Sequence, residues 1–427
     1  YTVFSTRQKK FIVLLLSTAG LVAPLSSTMY LPALNTIQTE MNTTSVMLKL
    51  TISLYMVGMG IAPMVWGTLS DTVGRRPIYI ISFVIYILAC VGCALSNGIG
   101  MLLAMRLIQS LGSSSVIAVG AGSLCDLFEA KRRGRALGFF FVGALIGPII
   151  GPTIGGYVSQ YLDWRWTFWI LAILGGVVLV LIVIFLPETH RGVVAAKYDV
   201  RMENVTPPSK SWAFNPLLPL YYLKYPYVTL TIINISLAYG GLYAMSTSMP
   251  ASFARVYNLS TSNVGLTYIA SGVGNIIGSV AGGNFADFMM HRFRDRMERA
   301  QVAAEPHEDG DAPTITIADV PKEQRLTGGV YFCWLMPTCL LIFGWLINKH
   351  EPLAAVLVVQ FFFGLGMTFI FSAYSTYLVD IFTGRSATIT ALNNSTRSIW
   401  AAVCSVIEDP IETGIGPGWT FTLFALL

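Results

Sequence analysis

Gly67-Thr68-Leu69-Ser70-Asp71-Thr72-Val73-Gly74-Arg75-Arg76-Pro77 is a polar run set between two apolar stretches, about 46–66 and 78–96. Each flanking stretch is about 20 residues long, enough to cross hydrocarbon as a helix. A weaker copy stands 216 residues on, where Gly283-Asn284-Phe285-Ala286-Asp287 is followed by His291-Arg292. In both, Asp follows Gly by four and Arg follows Asp by four or five. A short basic turn recurring at the same place in both halves of an apolar chain points to an internal duplication. Many secondary transporters are built that way.

The rest of the composition agrees. The chain is 54% hydrophobic and 11% charged, whereas a soluble domain carries roughly a quarter charged residues. Twelve apolar segments are legible, from about 11–34 to 418–427, and the twelfth is too short to span, so the last helix is read as truncated. The chain starts at Tyr1 without a Met and reads as a trimmed or mature core. No cleavable signal peptide is visible; the first apolar run is long enough to span.

Charge position sets the orientation. With the N-terminus in the cytoplasm, 21 of 27 Lys and Arg residues fall in cytoplasmic segments. Lys49, Arg165, Arg255 and Lys349 lie on or near the other side, and Arg106 and Arg397 lie within helices. Such a bias orients membrane proteins. It also explains the net charge of +5 without nucleic acid. The expected setting is a multi-pass protein of the plasma membrane, monomeric and in contact with lipid, with N-terminus and central linker cytoplasmic.

Six helices are expected over 11–186, a Pro- and Lys-containing cytoplasmic linker over 187–226, and six more helices over 227–427. Within the second half, 290–326 is a charged cytoplasmic loop whose Glu305–Asp311 stretch has the composition of disordered segments. The six cysteines lie in or at the ends of apolar spans and indicate neither a disulfide framework nor a metal site. No metal or cofactor is expected.

The fifth span holds Gly143, Gly147, Gly151 and Gly155 on one face, with Pro148, Pro152 and Gly156. Small residues four apart let helix backbones approach closely, so this row reads as a bendable seam between rocking helices. Gly274, Gly278 and Gly282 repeat the spacing in the eighth span.

No strong acid is expected deep in a helix: Asp71, Asp126, Asp287 and Asp380 sit at cytoplasmic ends, and Glu408, Asp409 and Glu412 outside or at outer ends. Arg106 and Arg397 are embedded cations. Burying Arg at a helix centre costs ~2.5–3.5 kcal/mol on insertion scales, so it faces a cavity or a partner. Gln109 shares a face with Arg106, and Asn393 shares one with Arg397. Tyr30, Asn234, Tyr239, Tyr243 and Gln360 add polar points. A largely apolar cavity with a few aimed polar groups is the pattern of a small-molecule site.

Gly67, Asp71, Gly74, Arg75 and Arg76 resemble the signature loop between helices 2 and 3 of the major facilitator superfamily. Arg106, Gln109 and Gly112 resemble its helix 4 motif, and Gly143, Gly147-Pro148, Gly151-Pro152 and Gly155-Gly156 resemble its helix 5 antiporter motif. With Pro187-Glu188-Thr189, the pattern is similar to the fungal twelve-helix drug:proton antiporters; Thr72 and Ser110 depart from it. The resemblance implies an all-α fold of two six-helix bundles with pseudo-twofold symmetry, and alternating access. It implies proton-coupled export of drug-like molecules or organic acids. Asp71, Arg75, Arg76, Asp126 and Arg135, with Asp287 and Asp380 in the second half, would form a cytoplasmic gate. Arg106 with Gln109 would serve coupling or substrate contact.

Four rival classes differ in what they require. An ATP-driven pump needs a phosphate-cradling Gly-Lys loop, and the sequence has no Gly-Lys pair. An enzyme needs a nucleophile, base or metal cluster, and the four histidines all lie in loops. A facilitator without proton coupling, or a non-transporting sensor on the same fold, would share the motifs.

Overall fold

The computed structural model describes residues 4–128, 130–190, 193–194, 218–304, 320–382 and 386–427. Most of the linker, and residues 305–319 of the loop expected over 290–326, lie outside these residues; the first part of that loop, 290–304, is instead helical.

The described chain is helical, without strands. Helix α1 (Thr6–Thr28) starts at a capping box, in which the Ser5 hydroxyl accepts from the Gln8 N–H and the Gln8 side chain accepts from the Ser5 N–H. It continues through a 3₁₀ turn into α2 (Leu34–Glu40). Then follow α3 (Ser45–Val73), α4 (Arg75–Ala94), α5 (Ile99–Ser113), α6 (Ser115–Leu127), α7 (Ala130–Tyr161) and α8 (Arg165–Phe185). The second half holds α9 (Pro226–Tyr257), α10 (Thr261–Ala304), α11 (Thr327–Asn348), α12 (Leu353–Ile381) and α13 (Ser386–Leu426). Helices α5 and α6 form one crossing that breaks near Ser114.

Ten stretches among the described residues are long and apolar enough to cross a membrane. The eleventh and the short twelfth are both in α13, which turns at Gly416, where φ is +80°. The eleventh runs on toward this turn and carries Arg397, Glu408, Asp409 and Glu412. The exposed outer surface is apolar, with Leu88, Ile173, Ile184 and Trp334 facing outward. In lipid this is the stable arrangement, because each helix satisfies its own backbone.

Packing divides into two groups. In the first, α1 lies on α7, and α4 on α5 and α8. In the second, α10 lies on α12, and α13 on α9 and α11. The groups meet along α7–α10 and α3–α13. The chain is a multi-pass membrane protein. Its two faces are named here by charge: the basic face carries Arg75, Arg76 and Arg325, and the opposite face carries Lys49, Arg165 and Arg255.

The glycine row seals α7 onto α1 of its own half. A Cβ at Gly143 would lie 2.2 Å from Ser17 O, at Gly147 2.8 Å from Pro24 Cβ, at Gly151 2.4 Å from Thr28 Oγ1 and at Gly155 1.6 Å from Met29 O. The cross-half contact uses the neighbouring face: a Cβ at Gly156 would meet Thr261 O at 2.7 Å, and one at Gly265 would meet Pro152 O at 2.4 Å. In the second half Gly274, Gly278 and Gly282 press on the α12 backbone. The expected seam between rocking helices is therefore two seams, because Gly151 and Gly155 face the end of α1 while Gly156 faces α10 of the other half.

Candidate functional site

Arg106 projects from α5 into the first half with no exposed surface. Its Nη1 donates to Ser26 O at 3.0 Å and to Gln109 Oε1 at 2.7 Å. Its guanidinium lies 4.2 Å from the Tyr30 ring centroid and 4.3 Å from that of Tyr55. A desolvated cation over aromatic faces gains about 2 kcal/mol, which offsets part of the burial cost. Nε and Nη2 have no hydrogen-bond partner among the described residues. Tyr30 is held by Thr51 at 2.8 Å, and Gln109 Nε2 donates to Cys90 Sγ at 3.0 Å.

Arg397 is half-buried in the second half. It lies 4.7 Å from the Tyr239 ring centroid and 4.8 Å from that of Phe371. Its Nη2 donates to Asn394 Oδ1 at 2.9 Å, and its Nε is unpartnered. The expected pairing with Asn393 does not occur: Asn393 Nδ2 turns to Ser375 Oγ at 3.3 Å. Three residues back along the helix suits the guanidinium better than four here, because Tyr239 and Phe371 fix its plane.

The two arginines end a chain of contacts that crosses between the halves. Tyr239 packs on Tyr243 at 5.1 Å between ring centroids. The Tyr243 hydroxyl donates to Ser27 Oγ at 3.4 Å. Ser27 adjoins Ser26, whose carbonyl accepts from Arg106. Besides Asn393, two expected residues lie off this chain. Asn234 Oδ1 accepts from Cys333 Sγ at 3.5 Å. Gln360 is fully buried on α12, and neither side-chain polar atom has a hydrogen-bond partner among the described residues. Orphaned buried donors and acceptors are costly to leave unmade, so a group that satisfies them binds there with gain.

On the basic face, Arg75 joins two carboxylates. Its Nη1 lies 2.7 Å from Asp71 Oδ1 and its Nε 3.2 Å from Asp126 Oδ2. Glu188 accepts from the Arg75 and Arg76 backbone N–H groups at 2.9 and 3.1 Å, the usual anion position at a helix start. Gly74 makes this approach feasible: its φ is +107°, and a Cβ would lie 2.7 Å from Glu188 Oε2. Among the described residues the Arg76 side chain takes no acid; it donates to Val183 O at 2.6 Å. The Arg135 side chain lies outside the described residues.

The second half has a matching cluster built differently from the sequence expectation. Asp287 pairs with Arg325 at 2.6 Å, and Arg325 also holds Asp380 at 2.7 Å. His291 and Arg292 do not take the place of Arg75 and Arg76. The physical reason is that α10 runs on unbroken past Asp287, whereas Gly74 breaks the chain and starts α4 at Arg75.

On the opposite face, sequence reasoning missed a buried ion cluster. Glu408 of α13 has no exposed surface and bonds Lys49 of α3, which is 4% exposed. Lys49 Nζ also lies 3.0 Å from Asp409 Oδ1. Glu412 accepts from Ser248 at 2.7 Å, Ser252 at 2.9 Å and Arg255 at 3.1 Å. The expectation that no acid is embedded is thus corrected, and Lys49 joins Arg106 as a buried cation within a span. A lone Lys one turn inside the second span was the available signal, since it requires an acid from another helix.

Cross-half hydrogen bonds of the described residues run from Asn35–Pro250 at the opposite face to Asn394–Met59 and Ser395–Gly60. Met59 is at the middle of α3. The halves are therefore tied from mid-depth to the opposite face.

The sequence model of the Major Facilitator Superfamily matches residues 16–405. The MFS-type transporter phiD of a fungal species is 32% identical, over 100% of this chain and 67% of its own. Citrate exporter 1 of Aspergillus niger is 31% identical, over 99% of this chain and 84% of its own. The MFS antiporter QDR3 of Candida albicans is 26% identical, over 99% and 76%. Among solved structures, a partially occluded inward-open form of the xylose transporter XylE from E. coli superposes with a TM-score of 0.67 at 14% identity, covering 99% of this chain and 95% of that one. Fold, motif loop and sequence match agree, and the chain belongs to the Major Facilitator Superfamily.

Proposed function

We propose that this transporter exports small organic molecules by alternating access, driven by the proton gradient, and that carboxylate-bearing substrates are preferred. The carrying observation is the contact chain from Arg106 to Arg397. Both guanidiniums keep nitrogens without a partner among the described residues, beside aromatic rings. A carboxylate gives charge-assisted bonds to such donors, and the planar guanidinium suits it better than an ammonium does. The likeness to a citrate exporter supports this substrate class. A second reading, export of lipophilic drug-like compounds, is favoured by the Tyr239, Tyr243 and Phe371 surfaces and by the likeness to an antiporter.

In this reading the basic face is cytoplasmic, the membrane is the plasma membrane, and the protein works as a monomer. Residues 11–186 and 227–427 are the two moving halves, joined by the linker 187–226. The ties from mid-depth to the opposite face then describe an inward-facing state. The Arg75 and Arg325 clusters are its inner gate, and the substrate enters between them.

The test is flux in sealed vesicles. Labelled citrate should accumulate against its gradient when a pH gradient is imposed, and reversing that gradient should reverse the movement. Tricarboxylates should compete better than lipophilic cations. Stronger competition by the cations would leave the drug reading in place, and flux indifferent to the pH gradient would leave a facilitator.

A further inference from the structure

The geometry points to Glu408 as a proton-binding residue that exchanges Lys49 for a proton whenever the opposite face opens. It rests on the alternating-access reading above; only the side on which the proton leaves depends on proton-driven export.

Three carboxyls, Glu408, Asp409 and Glu412, stand within two turns of α13. The permanent cations that face them are Lys49 from α3 and Arg255 from α9. His350, from the loop after α11, lines the same cavity as Asp409 and Glu412. Cys404, one turn along α13, is buried beside them. Ser45, Ser248 and Ser252 add neutral donors. The cluster thus holds one more carboxyl than permanent cations. Neighbouring carboxyls that cannot all ionise share a proton.

Glu408 is the member placed to feel the change. It is the most buried of the three, and its Oε2 accepts from Lys49. Its Oε1 has no hydrogen-bond partner among the described residues. Asp409 and Glu412 keep other donors. Lys49 comes from the other half, so parting α3 from α13 takes it away. A carboxylate left in that position would stand beside Glu412 without its cation, and neighbouring like charges disfavour the ionised form.

Protonation removes that cost. An O–H bond forms at Glu408 with a proton drawn from water in the cavity of about 410 Å³ that Glu412, Asp409 and Arg255 line. When Lys49 returns, the proton passes back to water and the ion pair reforms. Proton and lysine therefore compete for one carboxylate, and acidity on the opposite face favours the open state.

The experiment needs no substrate. Spin labels at exposed Thr36 of α2 and exposed Asn263 of α10 report the separation of the halves at the opposite face, in the full protein in liposomes. Without further substitution, the longer-distance population should grow from mildly alkaline to mildly acidic buffer. Glu408→Gln should abolish this response and hold the longer distance at both pH values. Lys49→Met combined with Glu408→Leu, an apolar pair of similar volume, should abolish it too, which covers a Gln variant that fails to fold. Glu408→Asp should keep a response with a shifted midpoint, and His350→Gln should leave it intact. A distance that ignores pH without these substitutions, or a full response in Glu408→Gln, overturns the proposal. Flux that follows the pH gradient while the distance ignores pH would sink the latch and spare proton-driven export; the reverse pattern would do the opposite.

Discussion

On the basic face, Arg75 and Arg325 each gather two carboxylates from helices of their own half. On the opposite face, Lys49 gathers Glu408 and Asp409 from the other half. The chemistry is the same and the consequence differs. An ion pair inside one half moves with it and shapes its surface. An ion pair between halves must break when they part, so its strength enters the balance between states. Burial follows the same division: the Asp71 and Asp287 side chains are 61% and 65% exposed, while Glu408 has none.

The largest effect should come from breaking the cross-half pair on one side only. Lys49→Met leaves Glu408 buried and unpaired, a change that typically costs 3–5 kcal/mol. The expected outcome is a clear fall in thermal unfolding temperature of the purified protein. Lys49→Met with Glu408→Leu should recover most of it, since an apolar pair of similar volume is often neutral or better. A double variant as unstable as the single one would show that the pair does not act as a unit.

Next come the glycines. Gly147→Val and Gly151→Val add bulk where α7 meets α1 inside one half, and overpacking costs about 1–3 kcal/mol. Both should lower expression and thermal stability. Gly156→Val adds bulk between the halves instead. It should lower stability less and shift accessibility toward an open opposite face, as read by labelling of cysteines placed there. Equal losses for all three would erase the distinction between the seams.

The smallest stability effect belongs to Asp71→Asn and Asp287→Asn. Exposed ion pairs contribute about 0–1 kcal/mol, so unfolding temperatures should hardly move. Transport should still fall in both, because Arg75 and Arg325 then lean wholly on Asp126 and Asp380. Unchanged transport rates would remove these clusters from the gate.

Much of this was legible from sequence because it is local. The spans follow from apolar runs, and the Asp71–Arg75 bond follows from a four-residue spacing across the Gly74 break. The Arg106–Gln109 bond also follows from helix geometry. What escaped is non-local. Lys49 and Glu408 are 359 residues apart, so even where Lys49 signals a partner acid, no spacing says which one. Arg325 lies 38 residues beyond Asp287, at a distance no periodicity links. Asn394, rather than Asn393, meets Arg397 because rings from α9 and α12 steer the guanidinium.

The Glu188 carboxylate has a mechanical meaning. It follows the end of α8 by three residues, yet it is fastened to the first two backbone N–H groups of α4. Tension arriving along the chain from the second half is therefore delivered to the start of α4 and not to the end of α8. There it bears on the residue that holds Asp71 and Asp126. The tether and the charge cluster share one anchor, so a pull on the linker loads the whole basic end of the first half as a single lever.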